Sequence, residues 1–278
     1  MVLWLAEKFL AEGKRVGILS RGYRGTSGSG DEVELLRRRL GDCVAFGVGA
    51  DRFEEGSKIE ARQDVDIFLL DDGFQHLQLA RDVDIVLMDS SRPLHKESLL
   101  PAGRLREPRV ALNRADVVVL TRTDLQDVVS QIAREFSPAP TCSVTTKLLG
   151  FRKVSSGRKS TASLEQQLSE PAFVFCGIGN PSAFLADVER WGVQTKGKRF
   201  FRDHHSYSTE EVRELERQAQ QVGARVLLTT EKDVQNLGDM SFLQMPIYYC
   251  EIAMNIPDEV QLLAEIKRKL EEPRSAAK

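Results

Sequence analysis

The sequence lacks the cysteine patterns of metal-binding or disulfide-stapled proteins. Its four cysteines are scattered, and none belongs to a C-x-x-C pair. This spacing argues against a zinc site or a disulfide framework and fits a reducing compartment. The cysteines are Cys43, Cys142, Cys176 and Cys250.

Long apolar runs and a strong net charge are also missing. No apolar run reaches the roughly 18 residues that a membrane-spanning helix needs. Glu7 and Lys8 interrupt the apolar N-terminal stretch, which does not have the layout of a signal peptide. The formal net charge is -2, so no global basic field would recruit nucleic acid. We therefore expect no nucleic-acid partner.

The chain does contain enough apolar residues for a soluble globular core. It has 278 residues, of which 41% are hydrophobic and 29% charged. This length allows one large α/β domain or two smaller ones. Segments typical of strands alternate with segments typical of helices, which predicts a mostly parallel sheet covered by helices on both faces. We predict a lobe over 1–148 and a second, smaller α/β lobe over 149–278, with a cleft between them.

The segment from Asp66 to His76 carries the strongest local signal. Four apolar residues run directly into Asp71, Asp72 and Gly73. Such a run predicts a buried parallel strand, and open α/β sheets place ligand-binding groups at the carboxyl ends of their strands. Paired carboxylates there suit Mg²⁺ with a nucleotide phosphate. The alternative is a plain turn in which the aspartates cap the next segment and Gly73 takes a positive φ.

The loop from Ser20 to Gly25 follows another predicted strand. Its glycines allow a close backbone approach, and Arg21 and Arg24 suit phosphate oxygens. It is not a Walker A loop, because no G-K-[ST] follows. A flexible surface loop with solvated arginines is the alternative.

Two acidic residues, Asp31 and Glu32, begin the next predicted helix. Carboxylates at a helix N-terminus are stabilised by the dipole and cap free N–H groups, which is a sufficient structural explanation. The functional explanation is that one of them is a general base or a metal-site carboxylate in the same cleft as Asp71 and Asp72.

Arg104 and Arg106 lie in a long loop between Pro101 and Pro108. Arginines held between prolines fit a rigid anion-binding loop, and long loops in compact domains are often functional. A solvated linker is the alternative.

Two of the four histidines, His204 and His205, follow Asp203. A histidine beside a carboxylate can act as or orient an acid/base group near neutral pH, although such a pair can also be a surface feature. Ser208, with Glu210 and Glu211, predicts a helix start. In the segment 229–233 we favour Thr230 as the cap of a short helix that begins at Glu231 over a nucleotide contact.

Taken in order, these motifs resemble one family. S-R-G-Y-x-G, G-D-E, D-D-G-F-Q-H, L-P-A-G-x-L-R-E-P, G-I-G, D-H-H-x-Y and T-x-K-D are similar to the motifs of the tetraacyldisaccharide 4'-kinases, which act in lipid A biosynthesis in Gram-negative bacteria. The resemblance extends from residue 1 to about residue 270, and the order of the motifs makes it specific. They begin at residues 20, 30, 71, 100, 177, 203 and 230.

The resemblance implies a P-loop-NTPase-like fold, ATP, Mg²⁺, a glycolipid substrate and a place at the cytoplasmic face of the inner membrane. It implies that Asp31 is the base toward the sugar 4'-hydroxyl, that His204 is its dyad partner, and that Asp71 and Asp72 hold Mg²⁺. Disaccharide or phosphate contacts are implied for Arg21, Tyr23, His76, Arg104 and Arg106.

The family's G-G-x-G-K-[ST] loop is expected immediately before the helix at Met1–Leu5 and is not among the 278 residues. Nor are its strand and the family's N-terminal membrane helix, so the nucleotide contacts stay unassigned. We expect ATP turnover by the chain as written to be severely impaired, with a mis-assigned start codon or a truncated gene as the simplest explanation. A degenerate homologue that binds glycolipid or a partner, and a Mg²⁺-dependent NTPase of another substrate class, are the alternatives.

Overall fold

The computed structural model describes most of the chain. It covers residues 1–22, 30–91, 98–103, 105–124, 130–154, 164–238 and 240–272, without the side chains of Asp31, Gln131 and Ile132. By its contacts the chain divides into two compact units. The first unit consists of Met1–Asp72 and Leu148–Ala253, and the second of Gly73–Lys147 and Met254–Lys278.

Helices and strands alternate as predicted, and the fold is α/β. The helices are α1 (Val2–Ala11), α2 (Asp31–Leu40), α3 (Arg52–Glu60), α4 (Ser130–Phe136), α5 (Pro181–Arg190), α6 (Thr209–Gln221), α7 (Glu231–Val234) and α8 (Glu259–Glu271). The strands are β1 (Val16–Ser20), β2 (Val44–Val48), β3 (Ile67–Leu70), β4 (Ile85–Asp89), β5 (Val117–Thr121), β6 (Thr141–Lys153), β7 (Leu164–Glu165), β8 (Ala172–Cys176), β9 (Thr195–Phe200), β10 (Val226–Thr230) and β11 (Ile247–Asn255).

The first unit contains two sets of parallel strands. In its N-terminal segment β1 lies between β2 and β3, and both pairings are parallel. Gly17 of β1 allows this close approach, because a Cβ there would lie 2.5 Å from the Phe68 ring. In its C-terminal segment the order is β11, β10, β8 and β9, again with parallel pairings. The carboxyl ends of each set therefore share one edge.

Local sequence signals explain where the helices of the first unit begin. Asn180 caps α5 through a hydrogen bond from the Ala183 N–H, and Pro181 occupies the first turn, where no N–H is needed. Ser208 and Glu211 form a reciprocal capping box at the start of α6, which confirms the predicted helix start. Thr230 caps α7 as predicted.

The core of the first unit lies along β8 and β10. Val174, Phe175, Leu227 and Leu228 are completely buried there, and the faces of α5 and α6 cover them. These strands are continuous apolar runs, as expected for parallel strands buried on both faces.

The second unit has its own smaller core. Strands β4, β5 and the first residues of β6 pair in parallel. Val118 and Leu120 of β5 are buried with Met88, Leu112 and Ala133.

Two local expectations need correction. The plain-turn alternative puts the positive φ after β3 on Gly73, but in the structure Asp72 has it, at 52°. Part of the polar stretch 152–171, predicted as a connecting region, is instead strand: the 13-residue β6 reaches Lys153, and β7 pairs with it antiparallel. The predicted lobe boundary between residues 148 and 149 remains a prediction. One division between the contact-based units falls close by, between Lys147 and Leu148, but each unit combines an early and a late segment.

No helix among the described residues is long and apolar enough to cross a membrane.

Candidate functional site

The carboxyl ends of β1 and β3 bring two of the predicted motifs together. Leu19 of β1 pairs with Leu70 of β3, so Ser20 and Asp71 come next to each other at the ends of their strands. The Asp71 N–H donates to the Leu19 carbonyl at 2.9 Å, and the Ser20 hydroxyl donates to the Asp71 carboxylate at 3.4 Å. The sheet therefore positions the first aspartate of the pair directly.

Asp71 lies in an acidic environment. Burial raises the pKa of its carboxyl group to about 6, and the nearby charges of Glu32 and Asp72 add to this effect. Asp72 follows in a left-handed conformation, which non-glycine residues adopt mainly where the surrounding structure enforces it. The negative charges of Glu32 and Asp72, in contrast to burial, favour a cation beside Asp71.

Asp71 and Asp72 offer oxygen donors that suit Mg²⁺. They are too few for a metal ion whose ligands all come from the protein. Within the described residues no group of at least three His, Cys, Asp or Glu side chains could hold a metal ion. Mg²⁺ usually binds through one or two carboxylates and completes its coordination with water and substrate phosphate. The two aspartates meet that requirement.

Lys232 links three motifs of the first unit. Its ammonium lies 3.2 Å from Glu32 Oε1, 3.7 Å from Asp203 Oδ1 and 3.3 Å from His204 Nε2. Glu32 in turn contributes to the raised pKa of Asp71. The start of α2, the end of β3, the turn after β9 and the start of α7 thus belong to one charged cluster.

His204 has a constrained backbone as well as charged neighbours. Its φ is 57°, and its N–H lies 3.1 Å from both the Gly177 carbonyl and the Asp203 carboxylate. Its Nε2 atom lies 3.9 Å from Asp203 Oδ2. Positive φ at a bulky residue is uncommon and concentrates at functional sites.

Asp233, the last residue of the T-x-K-D motif, is buried and holds the segments around His204 together. Its carboxylate is 1% exposed and accepts hydrogen bonds from the Gly177 N–H at 2.8 Å, the Tyr207 hydroxyl at 2.7 Å and the Thr230 hydroxyl at 2.5 Å. One buried carboxylate therefore ties three motifs together: G-I-G, D-H-H-x-Y and T-x-K-D.

His205 belongs to this supporting layer. Its ring stacks on Phe201 at 4.6 Å and meets the edge of Tyr207 at 4.9 Å, and its Nε2 atom lies 3.0 Å from Glu211. Gly177 leaves no space for a side chain here, because a Cβ would lie 2.9 Å from that of His205. The two adjacent histidines thus have different surroundings.

A network of arginines and glutamates attaches α2 to the C-terminal segment of the first unit. Arg39 forms two hydrogen bonds to Glu231, at 2.6 and 3.0 Å, and Arg38 bonds the same carboxylate at 2.5 Å. Glu251 on β11 accepts from Arg39 at 3.2 Å and also pairs with Arg152. Glu231 directly precedes Lys232, so this network fixes the start of α7 relative to α2.

The predicted site residues fall into three groups. Asp71, Asp72 and His204 lie in the first unit, where Arg21 is exposed at the end of β1 and the backbone of Asp31 begins α2. His76 and Arg106 lie in the second unit, where the Gln75 side-chain amide donates to the Arg106 carbonyl at 3.2 Å and connects their segments. Tyr23, Arg104 and the side chain of Asp31 lie outside the described part of the chain.

Sequence reasoning missed the parts played by Lys232 and Glu32. Both stand in the motifs that were singled out, T-x-K-D and G-D-E, but the first was explained as a helix cap and the second mainly through Asp31. The signal was a lysine in a strand-end motif, where a cation can meet carboxylates from other strands.

A solved structure with the same architecture defines the class of protein. The "apo" form of LpxK from Aquifex aeolicus in complex with ATP matches 97% of this chain and 82% of its own, with a TM-score of 0.71 and 26% sequence identity. The chain is an α/β protein with the mostly parallel sheet of a P-loop kinase fold.

Comparisons of sequence identify the family. The profile described as tetraacyldisaccharide-1-P 4'-kinase matches residues 1–271. Tetraacyldisaccharide 4'-kinases from Chlorobium phaeovibrioides and Geobacter metallireducens are 35% and 34% identical, each over 97% of this chain and 83% of the relative. The chain belongs to the tetraacyldisaccharide-1-P 4'-kinase family, which confirms the resemblance of the motifs.

Proposed function

We propose that the chain transfers the γ-phosphoryl group of ATP to the 4'-hydroxyl of a tetraacyldisaccharide 1-phosphate, a lipid A precursor. The match to the family over residues 1–271 is the observation that carries this proposal. The ATP complex of the Aquifex aeolicus protein supports ATP as the phosphoryl donor. We place the reaction at the cytoplasmic face of the inner membrane, where a glycolipid acceptor would be presented at a membrane surface.

Phosphoryl transfer depends mainly on positioning and on neutralisation of charge. We assign the hydroxyl proton to Asp31 as general base, with His204 as its partner. Asp71 and Asp72 would hold Mg²⁺, which supplies positive charge to the phosphate oxygens when it is bound. The acidic surroundings of Asp71 support this assignment, because they favour a cation at that position.

Recognition of the acceptor falls to arginines and aromatic side chains in this proposal. Arg21, Tyr23, His76, Arg104 and Arg106 are the assigned contacts to the disaccharide or to its phosphate. Arginine suits this role because its planar fork of donors matches phosphate oxygens.

The direct test is transfer of label from [γ-³²P]ATP to a tetraacyldisaccharide 1-phosphate in detergent micelles. In a chain that carries the family's G-G-x-G-K-[ST] loop in addition to these residues, we expect a labelled bisphosphorylated product that forms only with Mg²⁺, whereas the chain as written should form little of it. Asp31→Asn should lower kcat by about 10²-fold or more with a much smaller change in KM, as loss of a general base does. Asp42→Asn, an exposed aspartate beyond the other end of α2, is the matched control and should leave both constants unchanged.

A labelled soluble acceptor, with no response to the disaccharide, would indicate an NTPase of another substrate class. Binding of the glycolipid without any transfer would indicate the non-enzymatic homologue, which the family comparisons do not favour. Unchanged kcat in Asp31→Asn would remove Asp31 from the role of base.

A further inference from the structure

Besides its two carboxylate partners, Lys232 contacts the imidazole ring of His204. Its Nζ atom lies 3.3 Å from His204 Nε2. A lysine ammonium has three donors and no acceptor, so a hydrogen bond between these atoms requires an unprotonated Nε2. The proton of the neutral imidazole then resides on Nδ1, because the bond made by one ring nitrogen decides which nitrogen is protonated.

The position of the ammonium does not depend on His204. Glu32 Oε1 and Asp203 Oδ1 hold Lys232 Nζ at 3.2 and 3.7 Å. The backbone of Lys232 lies in α7, which the Thr230 cap begins. Lys232 therefore acts on His204 from a fixed place.

His205 shows the opposite arrangement one residue further along the chain. Its Nε2 atom lies 3.0 Å from Glu211 Oε1. A hydrogen bond from the Ser208 backbone N–H lowers the pKa of Glu211, which is therefore ionised and can only accept. The Nε2 atom of His205 must then carry the proton.

We propose that Lys232 is a positioning residue that holds His204 in the neutral Nδ1–H tautomer, so that this imidazole serves as a hydrogen-bond donor to a carboxylate and not as the proton acceptor. The inference rests on the proposed function for the use of that donor. An Nδ1–H can orient the carboxylate of a general base, the role assigned to Asp31, in the way a third group orients the base in a catalytic triad.

The tautomers can be read without substrate from the ring nitrogens of ¹⁵N-histidine-labelled protein. The chain has four histidines, and His204→Gln and His205→Gln assign two of them. In the unsubstituted chain at neutral pH we expect Nδ1–H for His204 and Nε2–H for His205. Nε2–H at His204 would overturn the proposal by itself.

Substitution of the lysine tests the cause. Lys232→Met should shift His204 to a mixture that includes the Nε2–H form, and Lys232→Arg, which still donates, should retain Nδ1–H. The His205 signals should stay in place in both variants, which shows that the supporting layer remains folded. Lys198→Met, an exposed lysine on β9 outside the cluster, is the matched control. If His204 keeps Nδ1–H in Lys232→Met, the lysine does not set the tautomer.

Kinetics separate this inference from the proposed function. In an active chain, Lys232→Met should lower kcat at least tenfold with KM for ATP changed by about twofold or less, and Lys232→Arg should recover part of the loss. Absence of kinase activity in an unsubstituted chain that also carries the G-G-x-G-K-[ST] loop would contradict the proposed function, while the tautomer measurement would still decide the role of Lys232. A change in KM alone would contradict the positioning role.

Discussion

At the scale of single residues, two aspartates of the first unit show how the surroundings decide what a carboxyl group does. Burial raises the pKa of Asp71, and the nearby charges of Glu32 and Asp72 raise it further and favour a cation. Asp233 receives three hydrogen bonds and connects segments of the chain. The same side chain is thus a candidate ligand in one place and a structural anchor in the other.

Asp71→Asn should stabilise the protein in a pH-dependent way when no Mg²⁺ is present. The pKa of Asp71 is about 6 in the folded state against an ordinary value of 3.8, so the folded protein binds this proton more tightly and loses stability as the pH rises between these values. The variant should match the unsubstituted chain near pH 3, where the carboxyl is protonated in both states, and exceed it by on the order of 3 kcal/mol at pH 8. Urea unfolding in EDTA measures this, with Asp42→Asn as control. A constant difference at both pH values would contradict the raised pKa.

Tyr207→Phe should destabilise the support beneath the candidate site. The variant removes one donor from the buried Asp233 carboxylate, and a hydrogen bond to a charged group contributes about 2 kcal/mol. Tyr248→Phe removes a less buried hydrogen bond, from Tyr248 to Glu165 at 3.1 Å, and should cost about 1 kcal/mol or less. Chemical denaturation of the two variants compares them. Equal losses of stability in the two variants would show that burial of the Asp233 carboxylate does not strengthen its hydrogen bond from Tyr207.

At the scale of elements, helix α2 is attached to the rest of the first unit by charge as well as by apolar packing. Val33 and Leu36 are buried on one face. Arg38 and Arg39, near its C-terminus, reach Glu231 at the start of α7. Because Asp31 and Glu32 stand at the other end of the same helix, these ion pairs help to set where the acidic residues lie.

Arg39→Met should therefore cost more stability than an equivalent change on the exposed face of α2. The side chains of Arg39 and Glu231 are only 17% and 8% exposed, and removal of one partner of a buried pair costs about 3 kcal/mol. The Arg37–Glu34 pair is 43% and 37% exposed, so Arg37→Met should cost about 0.5 kcal/mol or less. Thermal and urea unfolding of both variants provide the measurement. A loss for Arg39→Met no larger than for Arg37→Met would mean that the pair does not hold the helix.

At the scale of the whole molecule, each compact unit is assembled from segments far apart in the sequence. Residues 1–72 and 148–253 form one unit, and residues 73–147 and 254–278 form the other. The motifs divide accordingly: D-D of D-D-G-F-Q-H ends the early segment of the first unit, and G-F-Q-H begins the second unit. The predicted lobes are consecutive stretches of the chain, whereas each contact-based unit combines an early and a late segment, so the two divisions differ.

A fragment of residues 1–148 tests whether the first predicted lobe folds alone. We expect it to lack cooperative unfolding, because Arg38 and Arg39 lose Glu231, and Lys232 is no longer present beside Glu32. Circular dichroism and dispersion of the amide NMR spectrum measure this against the full chain. A cooperatively folded fragment would instead support the boundary near residue 148.

Much of the fold follows from local patterns. Continuous apolar runs marked β1, β3, β8 and β10, and capping residues marked the starts of α6 and α7. Strand β6 did not follow, because Thr141–Lys153 alternates polar and small residues without a clear apolar run. Its pairing with β5 and β7 decides its conformation, and such long-range pairing leaves little trace in a local window.

In the candidate site, too, local patterns predicted some features and long-range contacts decided the others. The motifs and their order determined the family and the residue types available, since a carboxylate pair after an apolar strand or a histidine after an aspartate is written in the chain itself. The tertiary structure alone decided that Lys232 reaches both Glu32 and His204, 200 and 28 residues away in the sequence. The physical reason is that hydrogen bonds and ion pairs act over a few ångströms in space, and only the fold brings such distant residues within that range.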